Sequence, residues 1–272
     1  MLKYTFILLA NILLGYGCTS KKNAPEAISS SIQKASTYSP VDKTTFIDSS
    51  KMVGLPYLMG KFNPAEDDRF IVIDIAYADR AGMYIRKETY ADFIKMYEAA
   101  RKEGIKMQIR SATRNFDYQK GIWERKWNGK TLISDGTNVA TDIAEDIDKA
   151  LKILQYSSMP GTSRHHWGTD IDLNSFSNEW FEKGEGLILY NWMVDHAHEY
   201  GFCQPYTVKG DARPDGYNEE KWHWTYTPLS EAFLAEARQL EDNMISGFLG
   251  SEQASHIGVV EKYIFGINHT CK

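Results

Sequence analysis

Two short runs hold most of the chemistry-bearing side chains of this 272-residue chain. The first is Pro160-Gly161-Thr162-Ser163-Arg164-His165-His166-Trp167-Gly168-Thr169-Asp170-Ile171-Asp172-Leu173, with two histidines, two aspartates and two glycines. A surface loop has little use for that mixture. A hydrolytic metal centre does, because Zn2+ takes imidazole nitrogen and carboxylate oxygen as ligands and keeps one position open for water. The second run, Glu220-Lys221-Trp222-His223-Trp224, lies downstream and offers one more imidazole and one more carboxylate.

Spacing narrows the ligand choice without settling it. If residues 169–173 form a strand, Asp170 and Asp172 point to one face, and parity does not choose between them. His165 and His166 point apart, so one of them faces the site. In a strand over 221–226, Lys221, His223 and Thr225 share a face, with Trp222 and Trp224 on the other. Glu220 then has the wrong parity to act beside His223. It must sit at the start of that strand or at a bend.

The pattern Ser163-x-His165-x-x-Gly168-x-x-x-Asp172, followed by Glu220-x-Trp222-His223, resembles the VanY-type D-alanyl-D-alanine carboxypeptidases, with their L,D-carboxypeptidase and VanX dipeptidase relatives. Ser111-x-x-Arg114, shortly before Tyr118-Gln119, resembles that family's Ser-Gly-Tyr-Arg-Ser segment. Here Ala112, Thr113 and Asn115 replace three of its residues. Thr169-Asp170 stands where the family carries a small pair, often ending in Ala. The resemblance covers roughly residues 108–226, and its specificity lies in three blocks occurring in order.

Carried over by position, the resemblance implies one Zn2+ held by His165, Asp172 and His223. Glu220 becomes the catalytic base, and Arg114 the cation that polarises the scissile carbonyl and stabilises the oxyanion. Ser163 becomes either a support behind the ligands or a contact to the substrate carboxylate, and Gln119 a substrate contact. His166 and Asp170 read as supporting neighbours of the ligands or as structural residues. The implied substrate is a peptidoglycan stem peptide or D-Ala-D-Ala peptide, losing a terminal D-amino acid. D,D-dipeptidase, L,D-carboxypeptidase and cell-wall endopeptidase activities belong to the same resemblance. A non-catalytic wall-binding lipoprotein is the reading from another class. A purely structural zinc would want a fourth protein ligand.

The elements that must position these residues follow from periodicity. The β-branched run at 70–77 reads as a buried strand. Phe93, Tyr97 and Ala100 mark a helix over 89–103, with Thr89 as its cap and Gly104 as its stop. Alternation at 105–110 gives a half-buried strand. Helices follow over 116–127, over 143–154 after Thr141, over 187–200 before Gly201, and over 230–240. Residues 207–219 form a long loop. No strict βαβ alternation appears, which favours an α+β class: a single domain with a small, mainly antiparallel sheet flanked by helices. The resemblance adds a hedgehog/D,D-peptidase-like arrangement. Trp167 and Trp224 serve either as groove flanks or as core, and His196 and His198 as surface residues.

Composition sets the outer limits. With 43% apolar and 25% charged residues the chain is ordinary for a globular protein. Its net charge of -5 gives no support for a nucleic-acid partner. Residues 4–14 are apolar apart from Thr5 and Asn11, too short to span a bilayer comfortably, and have the order of a secretory signal. Gly15-Tyr16-Gly17-Cys18 resembles a bacterial lipoprotein signal, although Gly15 stands where a Leu is usual. A plain cleaved signal with an incidental Cys18 is the alternative. The expected organisation is therefore a signal over 1–18 ending at a lipidated Cys18, a flexible tether over 19–45, and a catalytic domain over 46–272. Such a protein is exported and membrane-anchored, facing the periplasm or cell wall. Cys203 and Cys271 remain as an even pair, suited to one disulfide or to two buried thiols.

Overall fold

The structure, a computed structural model, describes residues 52–272. The expected signal segment, Cys18 and the tether lie outside the described residues. In chain order the strands are β1 (Phe70–Val72), β2 (Tyr84–Arg86), β3 (Ile109–Ser111), β4 (Asp170–Leu173), β5 (Phe202–Cys203) and β6 (His223–Tyr226). The helices are α1 (Leu55–Leu58), α2 (Lys87–Lys102), α3 (Phe116–Trp127), α4 (Val139–Asp142), α5 (Asp146–Ile153), α6 (Gly184–His196), α7 (Thr227–Glu236) and α8 (Gln253–Ile257). β1 and β2 pair with each other, and the remaining strands form an antiparallel sheet in the order β3-β4-β6-β5. The class is α+β with small antiparallel sheets among helices, as the sequence indicates.

The four-stranded sheet has two different faces. Ile171, Leu173, Trp224 and Tyr226 belong to an apolar cluster with Phe93 and Met96 of α2 and Leu189 and Met193 of α6. The alternate residues Asp170, Asp172, His223 and Thr225 are polar, and they are buried too. A sheet covered on both sides normally reads as continuous hydrophobic strands. Here one covered face is kept polar. A register shift in β3 adds Ser111 to it: Ile109 pairs with Leu173, but Ser111 pairs with Asp172. Such bulges re-aim a side chain at the cost of one ladder step.

A second apolar cluster joins Trp123 of α3, Ile153 of α5, Phe233 of α7 and Ile264 near the C-terminus. Trp123 donates its indole N–H to Leu249 O, tying α3 to the C-terminal segment. Cys203 and Cys271 form a disulfide with Cα atoms 5.6 Å apart, fastening the chain end to β5.

Four local expectations are corrected. The run at 70–77 is strand only to Val72. The Asp74 carboxylate accepts the Ala76 N–H and opens a 3₁₀ turn, Ile75–Tyr77, and Ile71, Val72 and Ile75 are exposed. Thr89 is not the cap of α2; the helix begins at Lys87, and Thr89 is buried in its first turn. The strand expected over 105–110 is confined to Ile109–Ser111, although Met107 and Ile109 are buried as the alternation predicts. The helix expected over 143–154 begins later, at Asp146 of α5; Ile143 lies between it and α4, which is capped by Asn138 and contains Thr141. Ile147 and Leu151 of that pattern face solvent, whereas Ala150 and Ile153 are buried.

Candidate metal centre

Asp172 of β4 and His223 of β6 are direct partners in the sheet, and Ser111 of β3 is paired with Asp172 on its other side. Strand pairing alone thus aligns these polar side chains in a row. His165 arrives from the 3₁₀ turn Arg164–Trp167 that precedes β4. Gly168 ends this turn at φ 73°, and a Cβ there would fall 2.5 Å from Phe70 Cε1. Glycine satisfies both the backbone conformation and the contact. The tight exit sets His165 beside the strand that carries Asp172.

The resulting geometry is close. His165 Nε2 lies 3.2 Å from Asp172 Oδ2, and His223 Nδ1 lies 3.1 Å from Asp172 Oδ1. The two imidazole centroids are 4.6 Å apart. One ligand atom from each of the three residues lies within 4.8 Å of the others. His165 Nε2 and Asp172 Oδ1 are buried without a hydrogen-bond partner. Buried polar atoms are rarely left so, and each instance asks for a cause. Two unpartnered acceptors converging with a third fit a divalent cation, and two nitrogens with one oxygen form a donor set of the catalytic zinc type.

Each imidazole is oriented by its other nitrogen. His165 Nδ1 lies 2.8 Å from Ala112 O and donates its proton there, which leaves the Nε2 lone pair for the site. His223 Nε2 lies 2.8 Å from Asp170 Oδ2 and donates to it, which frees Nδ1. The open choice between the two aspartates is resolved by this. Both point to one face of β4, as parity requires. Asp172 faces the two imidazoles, whereas Asp170 lies behind His223. Asp170 accepts from Arg164 Nε at 3.2 Å and from the hydroxyls of Thr169 and Thr225, each at 2.7 Å. His166 points away from His165. Its Nδ1–H donates to Arg114 O, and its Nε2 accepts from Gly161 N at 3.0 Å. Burial pushes His166 down to about 3, so it is a neutral structural residue.

Glu220 lies just before β6, with Oε2 3.3 Å from His223 Nδ1. The His223 N–H bonds back to Glu220 O at 3.2 Å, so the chain bends between them. That bend meets the parity requirement read from the sequence. Burial pushes the Glu220 carboxyl above the usual range, against the opposing pull of His223. Burial acts the same way on Asp172, but the neighbouring His165 and His223 outweigh it and hold Asp172 well below that range.

Arg114 follows β3, and its guanidinium is held from three directions. Nη1 lies 2.8 Å from Ser111 Oγ and 3.3 Å from Asp172 Oδ2, and Nε donates to Gln119 Oε1 at 2.9 Å. Gln119 passes its own amide N–H to Ser158 O at 2.9 Å. Both ends of the Gln119 side chain are engaged within the protein, which suits holding Arg114 better than contacting a substrate. Ser163 is 1% exposed, and its hydroxyl has no partner. It faces a small inner recess of about 20 Å³ lined also by Tyr206 and Tyr217.

His165, Asp172, His223, Glu220 and Arg114 all border a cleft of about 850 Å³. α3 forms one wall with Gln119, Ile122 and Lys126, and Phe176, Asn178 and Trp222 also line it. Trp167 and Trp224 do not flank the groove; they are 1% and 3% exposed and pack in the core. Trp222 and Phe176 take that place, meeting edge to face with ring centroids 6.2 Å apart. Sequence reasoning passed over Ile122, Lys126 and Phe176. The signal for the first two was their helical spacing from Gln119. His196 is half-exposed beside Glu199 and His198 is exposed, away from the cleft.

Comparison with known proteins shows the family of the chain. The D-alanyl-D-alanine carboxypeptidase family VanY matches residues 82–229, more than half of the chain and an interval containing every residue of the centre. YodJ of Bacillus subtilis (strain 168), whose name assigns it provisionally as a carboxypeptidase, is 30% identical over 198 residues, 70% of this chain and 63% of YodJ. A protein of Enterococcus faecalis (strain ATCC 700802 / V583) named D-alanyl-D-alanine carboxypeptidase is 22% identical over 140 residues, 50% of this chain and 46% of its own length. The chain thus spans less than two thirds of either relative. Among solved structures, that of the LD-carboxypeptidase LdcB aligns with a TM-score of 0.47 at 22% identity, over 66% of this chain and 77% of LdcB. On the strength of the match over residues 82–229, the chain belongs to the VanY family of D-alanyl-D-alanine carboxypeptidases.

Proposed function

We propose that this chain is a zinc-dependent peptidase that removes a terminal D-amino acid from peptidoglycan stem peptides. The observation that carries the reading is the convergence of His165, Asp172 and His223 within 4.8 Å at a cleft that Glu220 and Arg114 also border. Zinc held by these three residues supplies Lewis acidity, acidifying water and polarising a carbonyl.

The remaining chemistry belongs to the chain. Glu220, raised by burial, takes a proton from the attacking water and returns it to the leaving amine. Arg114, fixed by Ser111, Asp172 and Gln119, presents a permanent positive charge where the carbonyl oxygen becomes negative. The Ser163 hydroxyl offers a neutral hydrogen bond at the inner recess, and the volume there, about 20 Å³, suits a group no larger than a methyl or one water. The methyl side chain of a leaving alanine fits that limit.

We further infer an exported protein, held at a membrane by a lipid on Cys18. The signal-like N-terminus supports this, and so does the Cys203–Cys271 disulfide, since such bonds persist in oxidising compartments. Among the described residues, no helix is long and apolar enough to cross a membrane.

The test is digestion of defined peptidoglycan fragments by the purified protein, with products read by mass. Loss of one alanine from the pentapeptide, abolished by a chelator and restored by zinc, is expected. Fragments left intact by zinc-loaded protein overturn the proposal. Loss from the tetrapeptide alone moves the activity to an L,D-carboxypeptidase.

A further inference from the structure

α3 presents Gln119, Ile122 and Lys126 to the cleft at helical spacing. Gln119 is spent on Arg114 and Ser158, and Ile122 is apolar. Lys126 has no such assignment. Its ammonium group donates to Ser157 Oγ, and no carboxylate pairs with it among the described residues. Of the carboxylates that border the cleft, Asp135 pairs with Lys152 and Asp172 with Arg114, and neither Glu220 nor Glu179 forms an ion pair with Lys126.

An ammonium group carries three donors. One is used here, in a half-buried position where an unpaired charge is costly. Burial pushes Lys126 down to about 8, assisted by the nearby charge of Arg114 and opposed by Glu220, so it remains a cation near neutral pH. Arg114 also brings positive charge to this part of the cleft, but it is already bound to Ser111, Gln119 and Asp172. An anion entering the cleft therefore finds its uncommitted partner at Lys126.

The substrate class proposed above brings such an anion. A peptide trimmed at its end carries a terminal carboxylate next to the scissile bond, and a peptide cut internally does not. We propose that Lys126 receives the terminal carboxylate of the peptide substrate and thereby restricts cleavage to chain ends. Ser157 holds one N–H of Lys126, which aims the remaining two. This assignment rests on the peptidase reading for its ligand, but the binding it describes is measurable without turnover.

The experiment is calorimetric titration of the metal-free full chain with N-acetyl-D-alanyl-D-alanine and with its terminal carboxamide. A charge-assisted hydrogen bond is expected to favour the acid about tenfold to a hundredfold. Lys126→Met is expected to bring the acid-to-amide ratio close to one while amide binding is unchanged, and Lys126→Arg to keep the preference. If Lys126→Met does not fold, Lys126→Gln takes its place. The proposal is overturned if wild-type protein fails to bind the acid or binds both peptides alike. It is also overturned if Lys126→Met keeps the preference or weakens both peptides equally, which is what a merely structural lysine would do. Hydrolysis is read separately on zinc-loaded protein. Carboxylate-selective binding without hydrolysis supports the Lys126 site and refutes the peptidase reading. Hydrolysis without selectivity refutes the Lys126 site and leaves the peptidase reading standing.

Discussion

Asp170 Oδ2 lies 2.8 Å from Nε2 of His223, on the edge of the ring opposite Nδ1, which lies 3.1 Å from Asp172 Oδ1. One imidazole is thus held between two carboxylates from the same face of one strand. Asp170 fixes the tautomer, and Asp172 shares the site. Asp170 is itself immobilised by Thr169, Thr225 and Arg164. Asp170 thus belongs to a buried network that orients His223.

Asp170→Asn is expected to weaken zinc binding about 10- to 100-fold, the usual effect of losing such a supporting partner. Competition against a chromophoric chelator checks this. The same change strands Arg164, whose side chain and that of Asp170 are both fully buried, so a stability loss of about 3–5 kcal/mol accompanies it. Affinity is therefore read at low temperature on protein shown to be folded. Unchanged zinc affinity would remove the orienting role.

Glu220→Gln is expected to separate metal binding from turnover. Glu220 Oε2 lies 3.3 Å from His223 Nδ1 but falls outside the converging trio. Zinc content should remain near that of the wild type while hydrolysis falls about 10²- to 10⁴-fold, the range for a lost general base. Metal analysis and peptide hydrolysis on one preparation decide it, and full activity would assign the proton transfer elsewhere.

Arg114→Lys keeps the charge and loses the planar fork that reaches Ser111, Asp172 and Gln119 together. Turnover is expected to fall about 10²- to 10³-fold, as when an oxyanion donor is removed. Gln119→Ala, which loosens Arg114 without replacing it, should cost less in kcat and leave KM nearly unchanged. A rise in KM with kcat intact would return Gln119 to the role of a substrate contact.

The centre was more legible than the scaffold, for a physical reason. Metal ligands must be of particular types, and the turn ending at Gly168 and the strand at 170–173 fix their relations over a few residues. Strand parity correctly put Asp170 and Asp172 on one face and demanded a bend at Glu220. Parity cannot say what each face meets, so choosing Asp172 required the His165 turn. Elsewhere, local pattern lost to tertiary context. The β-branched run at 70–77 lies at an exposed edge and is cut short by the Asp74 cap. Ile147 and Leu151 have core-like types but face solvent, because α5 is rotated to bury Ala150 and Ile153. Choosing Trp222 over Trp167 and Trp224 as the cleft aromatic depended on how separate segments pack.

Breaking the Cys203–Cys271 bond is expected to destabilise the domain. The bond joins positions 68 apart and holds the chain end against β5. Cys271→Ser should lower stability by about 2–4 kcal/mol, a typical value for a native disulfide. Denaturant unfolding of the variant, and of wild-type protein with and without reductant, gives the figure. Equal midpoints in all of them would show that the C-terminal packing around Ile264 and Phe265 suffices without the bond.

Peptide affinity should depend on pH through Lys126. Burial, then the charge of Arg114, lower its pKa from 10.5 to about 8, with Glu220 pulling upward and Arg125 downward. The carboxylate is met by the protonated form. Affinity for the acid peptide is therefore flat below pH 8 and weakens as pH rises through it, approaching about tenfold per unit when deprotonation must be reversed on binding. The carboxamide peptide should show no such fall, and Lys126→Met should flatten the acid profile at its weaker level. An acid profile that keeps its slope in Lys126→Met would place the titrating group elsewhere in the cleft. A wild-type profile flat to pH 10 would mean that the carboxylate never meets this lysine.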